Sequence, residues 1–324
     1  MTPIERIPGV PEATADCWFV TGPTAAGKTR VGLALAQRID GEILSLDSMA
    51  LYRGMDIGTA KPTAEQRALV PHHLLDLVEP AEEFSLAQYL THAVRAVEEI
   101  RARGKQPIFV GGTPLYLKAL LRGVFEGPPA DRELRQALEA EAEEFGSDSL
   151  HERLALVDPL SASKLHPHDT RRLVRALEVF RATGQPISHL QLQFDEGRPS
   201  KERRAFWLAW ERSELHRRIE DRVDRMIEQG LVQETRGLLD RFGDLSRTAL
   251  QAVGYRETVA HFRDGTPLPA TVESIKTRTR QFARRQETWF RSLKELRRIE
   301  LSAEKSPEAI AEEIVQLASS ERGA

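Results

Sequence analysis

The spacing of apolar residues changes along this chain. Its first third carries short runs of the strand kind: Trp18-Phe19-Val20, then Glu42-Ile43-Leu44-Ser45-Leu46, then Pro107-Ile108-Phe109-Val110-Gly111. Between them the period lengthens to that of helices. One helical run follows from Lys28 to Arg38. A longer one places Leu86, Tyr89, Leu90, Ala93, Val94, Val97 and Ile100 on one face, with Ser85 as cap and Gly104 as stop. Strand–helix–strand order predicts a parallel sheet that holds its ligand at the strand C-terminal ends. After Gly123 the pattern becomes almost wholly helical. Residues 126–130 read as a linker, 195–203 as a polar return loop, and 205–210 as a strand that rejoins the first sheet. The rest reads as helix again, with no internal repeat.

Composition narrows the class. Of 324 residues, 40% are hydrophobic and 29% charged, which suits a packed globule. The single cysteine, Cys17, excludes an internal disulfide. No apolar run approaches the ~18 residues of a membrane span. The first sixteen residues hold three prolines and read as a frayed extension, not a signal peptide. A cytoplasmic chain is the simplest expectation. Net charge is −3, yet the charge is polarised. Nine basic residues lie between Lys276 and Arg298 against Glu287 and Glu295, whereas 131–145 hold six carboxylates against Arg132 and Arg135. A near-neutral molecule can still present a basic face.

The sharpest local signal is Gly22-Pro23-Thr24-Ala25-Ala26-Gly27-Lys28-Thr29, which fits G-x-x-x-x-G-K-[S/T] between a strand and a helix. Backbone N–H groups of such a turn converge on an anion, Lys28 adds positive charge, and the Thr29 hydroxyl suits a Mg²⁺ ion on the phosphates. The expected fold is therefore α/β: a P-loop-type parallel sheet core (17–125 and 201–304), a helical insertion domain (126–200) and a helical C-terminal part. A disordered extension (1–16) and a tail (305–324) flank it. Many P-loop proteins hold Mg²⁺ with an Asp at a second strand end. Here the strand at 107–111 runs into Gly112-Thr113, and the one strand-end carboxylate near the loop is Asp47. It either holds a metal or accepts a proton from a second substrate, or else caps the next segment.

Two basic clusters remain. Arg171-Arg172-Leu173-Val174-Arg175 opens a helical run in the insertion. Arg284, Arg291 and Arg298 recur every seven residues in the last helix, beside an apolar face of Ile275, Thr279, Phe282, Gln286, Trp289, Leu293 and Leu296. Such a stripe is either a solvated face or a grip on a phosphodiester backbone. His72-His73 and His166/His168 lack partners at metal-ligand spacing. No G-x-S-x-G elbow supports a hydrolase.

Taken together, several segments resemble one family, the bacterial tRNA dimethylallyltransferases, also called tRNA isopentenyltransferases. They are GPTAAGKT (22–29), LDSMALYRGMDIGTAKPT (46–63), PHHLLDLVEP (71–80), FVGGTPLYLKALL (109–121), HPHDTRRLVRALEVF (166–180), VGYRE (253–257) and ARRQETWFR (283–291). The resemblance implies transfer of a dimethylallyl group from dimethylallyl diphosphate to N6 of adenosine 37 beside a tRNA anticodon. Gly22 to Thr29, with Mg²⁺, would hold the diphosphate. Asp47 would accept the N6 proton, and Thr113 would sit beside the reacting centre. The flipped base would meet Asp47, Ser48, Met49, Ala50 and Thr113, with Arg135 at the channel. Arg171 to Arg175 (including Leu173 and Val174) and Val253, Gly254, Tyr255 and Arg256 would contact tRNA. A monomer away from membranes is expected. Ala26 stands where Ser or Val is frequent, and Gln251-Ala252 where some members carry Arg-Cys. The P-loop alone would equally suit a small-molecule kinase, and the basic clusters an RNA-binding protein with a vestigial P-loop.

Overall fold

The computed structural model describes residues 9–125, 127–128, 130–191, 197, 200 and 203–320. Most of the return loop expected at 195–203, the extension before residue 9 and part of the 126–130 linker lie outside the described residues. The chain divides into two compact units, Met1–Leu121 with Gly197–Ala324, and Arg122–Glu196.

The first unit is built on one six-stranded sheet: β1 (Trp18–Thr21), β2 (Gly41–Leu46), β3 (His72–His73), β4 (Gln106–Gly111), β5 (Arg204–Ala209) and β6 (Arg297–Glu300). Every pairing is parallel, in the order β3-β2-β4-β1-β5-β6. β1 and β2 are buried throughout, as expected for parallel strands covered on both faces. The registers Thr21↔Gly111 and Leu46↔Gly111 bring the ends of β1, β4 and β2 to one rim. The helix Leu86–Ala102 starts at Ser85 through a capping box with Gln88 and buries Tyr89, Leu90, Ala93, Val97 and Ile100.

Two strands differ from the sequence reading. β3 is two residues long, too short for any periodic signal, and pairs through Ile43↔His72. β6 falls in a stretch expected to be helical. It is an edge strand in which Ile299 alone is buried, so its charged neighbours hide the alternation. The last long helix runs Leu268–Ser292 and buries Thr271, Ile275, Ala283, Gln286 and Phe290. Phe282 and Trp289, placed by sequence on the apolar face, are 36% and 40% exposed. Leu296 lies beyond the helix end.

Where they are described, the extension expected to be disordered (from residue 9) and the expected tail (to residue 320) contain packed helical segments. Residues Val10–Ala13 form a helical turn, and buried Thr14 donates from Oγ1 to the Leu120 carbonyl at 2.7 Å. Arg203 reaches from the start of β5 to the Pro11 carbonyl at 2.9 Å. The supposed tail contains the helix Pro307–Ser319, capped by Ser306. Its Ile310, Ala311, Ile314 and Ala318 join the core cluster that contains Val31, Leu35 and Ala36 of the helix Lys28–Ile39. It was set apart because it lies beyond the segments that carry the family resemblance.

In the second unit, Leu150, Leu154, Leu173, Val174, Leu177 and Val179 form a separate small core. Because Ile314 is fully buried against the helix that follows the P-loop, Ile314→Ala should cost about 2–5 kcal/mol in urea unfolding. A loss below about 0.5 kcal/mol would mean that this helix is only loosely attached.

Candidate active site

The loop after β1 is held by close backbone approaches. A Cβ on Gly22 would lie 2.8 Å from the Leu208 carbonyl oxygen, and φ there is 153°, so glycine is needed on both counts. The Trp210 indole donates to the Ala26 carbonyl at 3.0 Å, and Arg218 Nε donates to the Ala25 carbonyl at 3.0 Å. Lys28 opens the helix Lys28–Ile39, and its ammonium donates to the Pro23 carbonyl at 2.7 Å. The Thr24 N–H is taken by Gln286 Oε1 at 2.9 Å, while Gln286 Nε2 donates to the Gly112 carbonyl at 2.6 Å. Gln286 therefore ties the loop to the end of β4. Sequence reasoning placed it on an apolar stripe and missed this role; a buried glutamine there was the signal.

Asp47 follows the last residue of β2. Its Oδ1 accepts from the Met49 N–H at 2.9 Å, the capping use considered from sequence. No hydrogen bond to Oδ2 occurs among the described residues. Thr113 stitches this turn to β4: its N–H donates to the Leu46 carbonyl at 3.1 Å, and its Oγ1 accepts from the Ser48 N–H at 3.0 Å. The same hydroxyl donates to Ser48 Oγ at 3.3 Å.

These pieces enclose two adjoining cavities. One, of about 160 Å³, is lined by Thr24, Ala25, Gly27, Lys28 and Thr29 of the loop together with Asp47, Ala50 and Arg222. The other, of about 110 Å³, is lined by Ser48, Met49, Thr113 and Val253, and shares Thr24, Asp47, Arg222, Phe282 and Gln286 with the first. Phe282 is exposed because it faces these spaces and not the core. Arg222, on the helix Arg212–Glu228, was not singled out from sequence, since that helix carries arginines throughout.

The electrostatics favour an anion. Burial and the neighbouring Arg222 push the Lys28 ammonium down to about 7, with Asp47 acting in the opposite direction. Burial also lowers the Arg222 pKa, again opposed by Asp47. Two partly desolvated cations thus face one carboxylate, and a phosphate entering the cup would relieve their mutual repulsion. Among the described residues no three His, Cys, Asp or Glu side chains form a metal cage. Thr29 and Asp47 do bring oxygen donors to one cavity, which suits Mg²⁺, an ion that takes few protein oxygens and completes its shell with phosphates and water.

The other residues singled out by sequence fall elsewhere. Leu173 and Val174 are core residues of the second unit, 0% and 2% exposed, so their side chains are closed to RNA; only the run's arginines point to a surface role. Of these, Arg171 and Arg172 are exposed, with Arg172 paired to Asp169 at 2.6 Å. Arg175 and Arg135 converge on buried Glu178, where Arg135 makes two bonds of 2.9 Å. Their first use is to neutralise that carboxylate. Tyr255 is fully buried, so its ring is likewise closed to RNA. Gly254 donates its N–H to Glu257 at 2.7 Å, and Arg256 is exposed but forked onto the same Glu257. His73 bonds Glu42 at 2.7 Å, and His72 Nδ1 lies 2.7 Å from the Val70 carbonyl.

A parallel sheet with a P-loop after its central strand, and a carboxylate on the neighbouring rim, defines a P-loop α/β protein with a second cavity beside that of the loop. The family model described as IPP transferase matches residues 50–293. Similar relatives include the tRNA dimethylallyltransferase of Rhodopirellula baltica, 53% identical over 290 residues and 87% of each chain. That of Pelotomaculum thermopropionicum is 46% identical over 298 residues, 92% of this chain and 94% of the relative. Among solved structures, the tRNA isopentenylpyrophosphate transferase of Bacillus halodurans aligns with a TM-score of 0.68 at 36% identity, covering 95% of this chain and 98% of that one. A eukaryotic dimethylallyltransferase acting on tRNA aligns with a TM-score of 0.72 at 28% identity, covering 95% and 77%. The chain belongs to the IPP transferase family, whose curated members similar to it are tRNA dimethylallyltransferases.

The lowered Lys28 pKa makes anion binding pH-dependent. A bound anion favours the ammonium, so the lysine titrates higher in the complex than in the free protein. Pyrophosphate affinity should therefore be full below about 7 and fall as pH rises through it, by at most about tenfold per unit, with proton uptake on binding. Titration calorimetry in buffers of different ionisation enthalpy measures both. A flat affinity from about pH 6 to about pH 9 would contradict the lowered lysine.

Proposed function

We propose that this protein transfers a dimethylallyl group from dimethylallyl diphosphate to N6 of adenosine 37, next to a tRNA anticodon, and releases diphosphate. The observation that carries this reading is that Asp47 belongs to both cavities, the one that holds the anion cup and the one beside it. Such a placement suits a base between a leaving group and an incoming nucleophile. Family membership favours this transfer over a small-molecule kinase or an RNA-binding protein with an idle P-loop.

On this reading the diphosphate occupies the cup formed by Gly22 to Thr29. As the bond from C1 to oxygen breaks, its electron pair leaves with the diphosphate, and Lys28, Arg222 and the loop N–H groups stabilise the growing charge. Thr29 would ligate a Mg²⁺ ion that supplies further charge neutralisation when bound. Adenosine 37, unstacked from the anticodon loop, enters past Ser48, Met49 and Val253, and its N6 bonds to C1. The N6 lone pair is delocalised into the ring, so the amine needs a positioned acceptor for its proton. Asp47 Oδ2 would take that proton while Oδ1 keeps its bond to Met49. Thr113 holds the Asp47–Ser48 turn in place. Exposed Arg171 and Arg172, with the exposed arginines of the Leu268–Ser292 helix, would meet RNA phosphates. The protein would work in the cytoplasm as a monomer.

The direct test supplies the protein with Mg²⁺, labelled dimethylallyl diphosphate and unmodified tRNA. Label should appear on an adenosine after nucleoside digestion; label-free adenosine would end the proposal. Asp47→Asn keeps the Oδ1 acceptor but not the base. It should lower transfer at least about a hundredfold while pyrophosphate still binds; parallel loss of both would remove Asp47 from the base role. Arg171→Ala with Arg172→Ala should flatten the dependence of log K for tRNA on log salt by about one per lost phosphate contact. An unaltered slope would mean that these arginines only face solvent.

A further inference from the structure

The segment from Met55 to Pro62 has no regular secondary structure, yet it lines both cavities: Gly58 and Thr59 the second, and Thr59 to Pro62 the first. Backbone outside a helix or a ladder must find other partners for its N–H groups. Here one pair of side chains takes three in succession. Asp56 N–H donates to Glu234 Oε2 at 3.1 Å, and Ile57 N–H donates to both Glu234 oxygens at 3.0 and 3.2 Å. Gly58 N–H donates to the Tyr255 hydroxyl at 3.1 Å, and that hydroxyl donates to Glu234 Oε1. The contact is close enough that a Cβ on Gly58 would lie 2.4 Å from the Tyr255 ring. At its far end the segment is pinned by buried Lys61, whose ammonium bonds Asp56 at 2.7 Å and Asp76 at 2.6 Å.

Neither partner needs this arrangement for its own sake. Glu234 lies in the first turn of the helix Leu231–Phe242, where a carboxylate is already favoured by the helix dipole and could stay hydrated. Burial beside Glu234 drives the Tyr255 phenol far above its ordinary value, so it remains a donor. Tyr255 also opens its helix two residues after Val253, which lines the second cavity. One short piece of chain therefore serves the wall of one chamber and the anchor of a strap across the other.

We propose that Glu234 and Tyr255 form a positioning pair: they fix the 56–62 strap as a wall of the donor cavity, and donor affinity depends on them. The proposal rests on the transfer reading for the identity of the donor. Neither residue touches the reacting atoms; both act through the strap.

The test uses Tyr255→Phe, which removes only the hydroxyl, and Glu234→Ala and Glu234→Gln, of which the second keeps one side-chain oxygen. Hydrogen exchange of the peptide spanning residues 53–62 should accelerate in Tyr255→Phe and Glu234→Ala while the β1, β2 and β4 peptides stay protected. KM for dimethylallyl diphosphate should rise about tenfold, with kcat within about threefold and tRNA affinity unaltered. Glu234→Gln should recover part of the KM loss. Faster exchange with an unmoved donor KM would overturn the proposal, as would a fall in melting temperature with both KM values unmoved. An equal rise in both KM values would also overturn it, since that marks a general loss of packing. Should the wild type transfer no label, the transfer reading falls. Calorimetric affinity for dimethylallyl diphosphate in wild type and variants then decides the positioning claim by itself.

Discussion

Lys28, Arg222 and Asp47 must be held around one small cavity without collapsing into a closed salt bridge. Two cations that met Asp47 directly would be neutralised, and the cavity would lose its positive potential. Instead Asp47 spends one oxygen on the Met49 N–H, Lys28 leans on the Pro23 carbonyl, and Arg222 approaches from another helix. Charges kept partly desolvated and unpaired are costly, and the lowered Lys28 and Arg222 pKa values are the mark of that cost. An anionic ligand is what relieves it.

The sheet makes this separation possible. Parallel pairing brings the ends of β1, β4 and β2 to one rim, and the glycine that ends β4, with the one after it, lets the chains come close. A Cβ on Gly111 would fall 2.1 Å from the Leu46 carbonyl oxygen, and one on Gly112 would meet Gln286 at 2.7 Å. Thr113 and Gln286 then lock neighbouring strand ends through backbone groups. Rigidity at the rim comes from those stitches, together with the bond inside the loop from the Ala26 N–H to the Pro23 carbonyl at 3.2 Å.

The sequence reveals what is local. A P-loop, a helix cap and short buried strands each declare themselves within a few residues, so the loop after β1, the strand-end position of Asp47 and the first three long strands with their parallel pairing were readable. Features created by distant contacts were not. β6 is a charged edge strand that exists because β5 offers it a partner, and the helix Pro307–Ser319 is defined by the face of Lys28–Ile39 that it covers. Gln286 and Arg222 look ordinary in their helices until the fold brings them to the cup. The arginine clusters mislead in the opposite direction: Arg135 and Arg175 serve buried Glu178, and Leu173 and Val174 fill a core. A run of basic residues reports charge, and only packing reports which of those charges reach solvent.

The most direct test is the protonation of Lys28 itself. Nitrogen-15 NMR of its side-chain Nζ, assigned with Lys28→Arg, should follow a titration near 7 in the free protein, displaced upward by more than about one unit when pyrophosphate is bound. A free-state value near the ordinary ~10.4 of lysine, unmoved by pyrophosphate, would contradict it.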